Sequence, residues 1–277
     1  MKAPNPDRPA LQLLASERPL VIGHRGCCAH APENTLPSFE LALAAGADLV
    51  ELDYHHSRDG VPVVIHDDTL DHTTDAPRQW KQRRIKVAGQ TVAALAGLDA
   101  GGWFDAKFAG TRVPLLAEAL EFISSRGGVT LIEHKSGDAA TCVELLRERR
   151  LINRVVVISF DWSFLRRFHE IEPVQVLGAL GSPARLADGR KPPSRSRRLS
   201  SEWLEELAPT GARIAVWNRQ VPPASVRLAQ RRGLKVWVYT VNEVRRARQL
   251  IERGVQGIIT NDPGLIRKGI DETADEE

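Results

Sequence analysis

Eight short apolar runs, many of them β-branched, recur along this 277-residue chain, and most are followed by a stretch with the period of an amphipathic helix. The runs lie at 20–26, 47–55, 129–135, 154–160, 174–180, 212–218, 234–242 and 257–260. Clear helical patterns occupy 34–46, 115–127 and 243–254, and the last two end on a glycine. Eight alternations of strand and helix predict an α/β protein of the (β/α)8 TIM-barrel class.

One unit departs from this alternation. After the run at 47–55 we expect no helix until about residue 115, although 61–67 has the pattern of a ninth strand. We therefore interpret residues 57–114 as a small insertion after the second strand, within a single domain spanning 1–277. Barrels of this class carry such insertions on their catalytic face.

Composition limits which binding partners and which cellular compartment we expect for the chain. The 38 basic and 35 acidic residues give a net charge of +3, which is too balanced to predict a nucleic-acid partner. The chain nowhere approaches the roughly 18 apolar residues of a membrane span, and its first twenty residues lack the apolar core of a signal peptide. Three cysteines form a poor disulfide framework. We predict a cytoplasmic protein without stable membrane insertion, and the oligomeric state stays open.

Acidic side chains cluster on the second and third strands. Alternation puts Glu51 and Asp53 on one face of the second strand, pointing into the barrel mouth, and Glu133 at the carboxyl end of the third strand. Unpaired anions are costly in such a place. Converging carboxylates are ligands for a hard cation such as Mg²⁺ or Ca²⁺, so the pattern predicts one divalent-metal site.

Basic residues lie beside these acids. His24 and Arg25 end the first strand, and His66 ends the ninth. Imidazoles can move protons near neutral pH, and the planar guanidinium of Arg25 can bind two phosphate oxygens. Lys135 follows Glu133 on the same face. Two histidines, an arginine, a lysine and a divalent cation are the groups needed to attack a phosphodiester.

The chain resembles the glycerophosphodiester phosphodiesterases. The resemblance runs in order over most of residues 20–265, through "GHRG", "APENT", "ELD", "DGVPVVIHDDTLDHTT", "IEHK" and "TVN". It implies metal-dependent hydrolysis of glycerophosphodiesters to glycerol 3-phosphate and an alcohol, and so a role in glycerol and lipid metabolism. It also implies one divalent cation bound by Glu51, Asp53 and Glu133.

The resemblance further implies roles for the basic and aromatic residues. His24 and His66 would be the acid–base pair, and Arg25 and Lys135 would hold the phosphate. Tyr239 stands where the family commonly has tryptophan, with Trp237 two residues earlier on the same face, and both are predicted to contact the substrate head group. Asn261 stands where the family commonly has aspartate.

Two other functions remain open at this stage. A lysophospholipase D would use the same chemistry on single-chain lipids, and its apolar rim would consist of Trp103, Phe104 and Phe108 in the insertion. We expect those aromatic residues instead to form the small core of the insertion, which needs apolar anchors to stay folded. A non-catalytic protein that binds phosphate esters is the third possibility, and the two histidines with the three acids argue against it.

Overall fold

The computed structural model describes residues 9–193 and 197–272. In chain order the elements are α1 (Pro9–Ala15), β1 (Leu20–Gly23), α2 (Leu36–Ala44), β2 (Leu49–His56), β3 (Pro62–Val64), α3 (Ala76–Trp80), α4 (Val92–Leu95), α5 (Leu116–Ser125), β4 (Val129–His134), α6 (Ala139–Glu148), β5 (Val155–Ser159), α7 (Trp162–Ile171), β6 (Leu177–Gly181), α8 (Ser201–Leu207), β7 (Ile214–Asn218), α9 (Pro223–Arg231), β8 (Lys235–Tyr239), α10 (Val244–Glu252), β9 (Gly257–Thr260) and α11 (Pro263–Asp271). Short 3₁₀ turns lie at Val87–Gly89, Ala106–Phe108 and Ala208–Thr210.

Eight parallel strands close into a barrel. Their order is β1, β9, β8, β7, β6, β5, β4 and β2, and β1 pairs with β2 to complete the ring. The helices that follow these strands form the outer layer, so the predicted (β/α)8 barrel is confirmed. The three predicted helices are present as α2, α5 and α10, each slightly shorter than its sequence pattern.

Alternation along the strands separates two apolar layers. Val50 and Leu52 on β2 face outward and pack in the cluster that also contains Phe39 and Leu116 from the helices. Leu49 faces inward with the other apolar residues of the barrel interior, and Glu51 and Asp53 continue that inward face toward the mouth. Helix α1, absent from the sequence prediction, packs its leucines against the interior layer. No helix among the described residues has both the length and the apolar character of a membrane-crossing segment.

The segment between β2 and α5 is more ordered than its sequence indicates. It contains α3 and α4, so the expectation of no helix before residue 115 was wrong. These helices have five and four residues, too few for a helical period to repeat. Strand β3 runs antiparallel to β2 and ends at Val64, which leaves His66 beyond the strand. The interpretation of 57–114 as an insertion in one domain stays a prediction.

The core of this segment is aliphatic. It comprises buried side chains between residues 63 and 113: Val63, Ile65, Leu70, Ala76, Ile85, Val87, Leu95, Leu98, Ala100 and Val113. Trp103, Phe104 and Phe108 are not among them, so the expectation that they form this core was wrong. Trp103 is 41% exposed. The physical reason is that ten aliphatic side chains already fill the space between the short elements.

Candidate active site

Three buried carboxylates meet at the carboxyl ends of neighbouring strands. Glu51 and Asp53 come from β2 and Glu133 from β4, and the parallel register places Asp53 opposite Glu133. One oxygen of each carboxylate lies within 4.8 Å of one oxygen of both others. All three side chains are buried. The structure therefore brings together the three residues that the sequence predicts as cation ligands.

Two cations lie against this cluster. The Lys135 ammonium is 3.1 Å from Asp53 Oδ1 and also contacts Glu133 Oε1. Arg25 Nε is 3.4 Å from Asp53 Oδ2, and the Arg25 backbone N–H donates to Glu51 Oε2 at 2.6 Å. Asp53 thus receives both cations, whereas Glu51 receives only a backbone N–H from this pair.

The uneven pairing separates the pKa values of the three acids. Burial alone would raise the pKa of Asp53, but Lys135 and Arg25 outweigh it and lower that pKa to about 2. Burial and the charge of Asp53 raise the pKa of both Glu51 and Glu133. Glu51 Oε1 is buried without a hydrogen-bond partner in the described part of the chain. An orphaned carboxylate oxygen beside two further oxygen donors fits a divalent cation that prefers oxygen ligands.

The loop after β1 turns sharply to carry Arg25 into the site. Arg25 has φ 52° and Gly26 has φ 86°, both in the left-handed region. A Cβ on Gly26 would lie 2.3 Å from Ser38 Oγ, so only glycine fits there. The Glu33 carboxylate accepts from the Arg25 guanidinium at 2.8 Å, which fixes the direction of that side chain.

His24 is held by a neutral partner. Its Nδ1 donates to Asn261 Oδ1 at 2.8 Å, and the Asn261 backbone N–H donates to Asn242 Oδ1 at 2.9 Å. Burial and the adjacent Arg25 lower the pKa of His24 to about 4. The ring is therefore neutral at physiological pH, with Nε2 available to accept a proton.

His66 is held by a carboxylate. Its Nδ1 donates to Asp67 Oδ1 at 2.7 Å, and its backbone carbonyl accepts from His55 Nε2 at 3.1 Å. The charge of His66 influences the pKa of both His24 and Asp53, which places the ring beside the carboxylate cluster. The two predicted histidines therefore lie on the same side of the barrel mouth as the acids, with different partners.

The two predicted head-group residues differ in position. Trp237 is 1% exposed and packs among the apolar side chains of the barrel interior, and its contact with a substrate head group stays a prediction. Its large ring fills the space inside the strands. Tyr239, one step nearer the mouth, is partly exposed, and its hydroxyl donates to the Gly181 carbonyl at 2.7 Å. Head-group contact by Tyr239 stays a prediction.

Three residues of the site were not predicted. Asn34 clamps Asp53: its Nδ2 donates to Asp53 Oδ2 at 2.9 Å, and its Oδ1 accepts from the Asp53 backbone N–H at 3.1 Å. His55 orients the backbone of His66, and Asn261 orients His24. The sequence could have indicated His55 as a site residue, because alternation along β2 puts it on the same face as Glu51 and Asp53. Asn34 lies in the "APENT" motif, which left open whether it caps a helix or belongs to the site, and Asn261 carries no local signal.

The fold and these side chains define a class of protein. Carboxylates, two cations and two histidines lie at the carboxyl ends of the barrel strands, where (β/α)8 barrels carry their active sites. The chain is therefore a (β/α)8-barrel enzyme equipped for phosphate-ester chemistry. Residues 24–265 match the model of the glycerophosphoryl diester phosphodiesterase family, and the chain belongs to this family. The predicted family and the predicted enzyme class, a phosphoric diester hydrolase that acts on glycerophosphodiesters, are confirmed.

Similar proteins cover nearly the whole chain. A glycerophosphodiester phosphodiesterase of Caldanaerobacter subterraneus subsp. tengcongensis is 32% identical over 90% of this chain and 98% of its own length. The structure of an Oleispira antarctica phosphodiesterase in complex with the product sn-glycerol-3-phosphate is 29% identical, with a TM-score of 0.80 over 93% of this chain and 99% of that one. A glycerophosphodiester phosphodiesterase from Agrobacterium tumefaciens is also 29% identical, with a TM-score of 0.71 over 90% and 98% of the two chains.

Proposed function

We propose that this enzyme hydrolyses glycerophosphodiesters to glycerol 3-phosphate and an alcohol, using one divalent cation held by Glu51, Asp53 and Glu133. The observation that carries the proposal is the buried carboxylate cluster with its orphaned Glu51 oxygen. Oxygen-only donors favour Mg²⁺ or Ca²⁺ over softer metals. The product bound to the Oleispira antarctica relative supports the product proposed here.

The phosphate would lie between the cation ligands and the two basic side chains. When bound, a divalent cation supplies Lewis acidity that draws charge from a phosphoryl oxygen. Arg25 and Lys135 would offset the remaining negative charge that builds on the phosphoryl oxygens. Both now neutralise Asp53, and a cation beside Asp53 would release part of their hydrogen-bonding capacity for the phosphate.

The different partners of the two histidines support an assignment of roles. His24 is neutral above a pKa of about 4, so it can accept a proton from the attacking hydroxyl but has none to donate from Nε2. We assign it as the general base. His66, held at Nδ1 by Asp67, is then the general acid that protonates the departing alcohol from Nε2. The attacking hydroxyl can be that of water, or it can be the 2-hydroxyl of the glycerol, which gives a cyclic phosphate that water then opens to glycerol 3-phosphate.

The test is a panel of substrates: glycerophosphocholine, glycerophosphoethanolamine, glycerophosphoglycerol and a lysolipid. Each is incubated with the enzyme alone, with EDTA, and with EDTA followed by excess Mg²⁺ or Ca²⁺. We expect release of glycerol 3-phosphate from at least one diester, its loss with EDTA and its return with metal. Binding of the diesters without turnover would identify a non-catalytic phosphate-ester binding protein and contradict the proposal.

A second candidate, lysophospholipase D, is favoured by the exposed Trp103 in the segment between β2 and α5. Trp103 packs 5.9 Å, centroid to centroid, from His72, and His72 lies 3.8 Å from the Asp67 that holds His66. The exposed indole of Trp103 therefore lies three contacts away from the proposed general acid. A single acyl chain is the kind of ligand that an exposed apolar surface binds.

This candidate is tested by comparing a lysolipid with glycerophosphocholine in Trp103→Ser. A selective loss of lysolipid turnover would favour it. The matched control is Val174→Ser, which removes an exposed apolar side chain that lies between α7 and β6. If Trp103→Ser kept the same fraction of wild-type activity on both substrates, the candidate would be removed.

The location is also a proposal. We place the enzyme in the cytoplasm because all three cysteines, Cys27, Cys28 and Cys142, are free thiols, which suits a reducing compartment. Fractionation of the producing cells tests this. Recovery in an extracellular fraction would contradict it.

A further inference from the structure

A second cluster of possible metal ligands involves the loop after β1. It consists of the Cys27 thiol, the His30 imidazole and the Asp262 carboxylate, whose donor atoms all lie within 4.8 Å of one another. Cys27 and His30 belong to the loop after β1, and Asp262 immediately precedes α11. None of the three takes part in the catalytic steps assigned above.

The backbone holds the cluster together. The N–H groups of His30 and Ala31 donate to the Cys27 carbonyl at 3.0 and 3.2 Å, which closes a turn and gives the two ligands a Cys-x₂-His spacing. The Ala29 N–H donates to the Asn261 carbonyl at 3.0 Å and so ties this turn to the segment that carries Asp262. Two segments more than 200 residues apart are therefore fixed at one point. Close ligand pairs of this spacing are common in zinc sites.

A backbone hydrogen bond orients the Asp262 carboxylate toward the cluster. Its Oδ1 accepts from the Leu265 backbone N–H at 2.9 Å, whereas Oδ2 accepts from His30 Nε2 at 2.8 Å. The first bond fixes the carboxylate, and the second joins two donor atoms that a metal ion would bind in place of the shared proton. Bonds to zinc near 2.0–2.3 Å separate tetrahedral donors by about 3.5 Å. The His30 side chain is 60% exposed and can make that adjustment.

The chemistry of the thiol makes binding depend on pH. A metal ion binds Cys27 only as a thiolate, so binding would release the thiol proton and the affinity should rise with pH. The negative charges of that thiolate and of the Asp262 carboxylate would then both lie against the bound cation.

We propose that Cys27, His30 and Asp262 form a second metal site, for a transition-metal dication such as Zn²⁺, with a fourth position open to water. The donors differ from those of the carboxylate cluster: one sulfur and one nitrogen favour Zn²⁺, whereas three carboxylates favour Mg²⁺ or Ca²⁺. The proposal goes beyond the catalytic function and does not depend on it. Metal at this site would brace the loop that begins with His24 and Arg25.

The test uses Co²⁺, because cobalt bound to a thiolate gives a ligand-to-metal charge-transfer band that oxygen ligands do not. The reduced full-length protein is titrated with Co²⁺ in the presence of saturating Mg²⁺, and Zn²⁺ is then added. We expect the band to saturate at one equivalent of Co²⁺ and to disappear when Zn²⁺ displaces it. A wild-type protein that gives no such band under excess Co²⁺ would overturn the proposal.

Variants identify the ligands. Cys27→Ser should abolish the band, and His30→Ala, which changes an exposed side chain, should weaken Co²⁺ binding by about tenfold or more. Cys28→Ser is the matched control: it changes the adjacent thiol, which is not a member of the cluster, and should keep the band. Unchanged binding in His30→Ala, or loss of the band in Cys28→Ser alone, would contradict the assignment.

One further variant separates this proposal from the catalytic one. Glu51→Gln disables the carboxylate site and should keep the charge-transfer band. If the substrate panel gave no turnover while the band appeared as expected, the catalytic proposal alone would fail. If turnover were normal and no band appeared, only the second metal site would fail. A band that vanished in Glu51→Gln would also overturn the second site.

Discussion

Replacing His66 with alanine should separate the two proton transfers of the proposed reaction. An alkoxide leaves poorly without a proton, whereas a nitrophenolate leaves without help. His66→Ala should therefore lose most activity on glycerophosphoethanolamine and keep a much larger fraction on a nitrophenyl phosphodiester. His24→Ala, which removes the proposed base, should reduce both activities alike, because attack is needed for either substrate.

The expected loss of activity in His66→Ala follows from the surroundings of His66. A positioned general acid contributes about 10²–10⁴ in rate, equivalent to about 2.7–5.4 kcal/mol at 1.36 kcal/mol per tenfold change. The His66 side chain is 32% exposed, so water can enter the space left by alanine and donate part of the proton. We therefore expect a loss of about 10²–10³ in kcat on the natural substrate.

The assay compares kcat and kcat/KM of both variants on both substrates at saturating divalent cation. His72→Ala is the matched control, because His72 also lies beside Asp67, at 3.8 Å, but has no assigned proton to transfer. It should retain most activity on both substrates. Equal losses of His66→Ala on the two substrates would refute the acid assignment, and the reverse pattern between the histidines would mean that their roles are exchanged.

Three more predictions follow from the carboxylate cluster and its cations. Arg25→Lys should lower kcat/KM by about tenfold to a hundredfold, because one point charge replaces a two-pronged contact worth about 1.5–3 kcal/mol; a near wild-type value would remove Arg25 from the phosphate. Asp53→Asn should lower the free energy of unfolding of the metal-free protein by about 3 kcal/mol in a denaturant titration, because it breaks buried ion pairs. Glu51→Gln should not lower it. A larger loss of stability in Glu51→Gln than in Asp53→Asn would show that the pairing of Asp53 is misassigned. The pKa of Glu133 is raised to about 7 from an ordinary 4.5, so between pH 4.5 and 7 the folded metal-free protein holds a proton that the unfolded chain releases. Its stability should therefore fall as the pH rises through that window, and bound cation should restore it. Melting temperatures that change with pH in the same way with and without cation would contradict this.

The barrel could be predicted from the sequence because its elements carry local periodic patterns. Each of the eight predicted strands overlaps a barrel strand, and alternation correctly placed Glu51 and Asp53 inside while Val50 and Leu52 face the helices. The short helices of the segment after β2 could not be predicted, since a helix of four or five residues repeats no period.

The site was only partly predictable for a related physical reason. The three acids lie on barrel strands β2 and β4 and His24 follows β1, so the barrel class itself brings these four residues together. His66 follows β3, whose antiparallel pairing with β2 carries it to the same place. Asn34 and Asn261 act through contacts that no local pattern encodes: Asn34 has a left-handed φ of 58°, and Asn261 meets a histidine 237 residues away. Strand periodicity puts Trp237 and Tyr239 on one face but does not tell how deep in the barrel each of them lies, and Trp237 is the more buried of the two.

The central claim is that one divalent cation bound by Glu51, Asp53 and Glu133 makes this barrel a glycerophosphodiesterase. The most direct measurement titrates Mg²⁺ or Ca²⁺ into metal-free enzyme while recording bound cation and released glycerol 3-phosphate in the same sample. We predict that activity rises in proportion to the first bound equivalent, and that Glu51→Gln, which retains its fold, shows neither tight binding nor turnover under these conditions. Full activity in the exhaustively chelated enzyme, or wild-type titration by the Glu51 variant, would contradict the account.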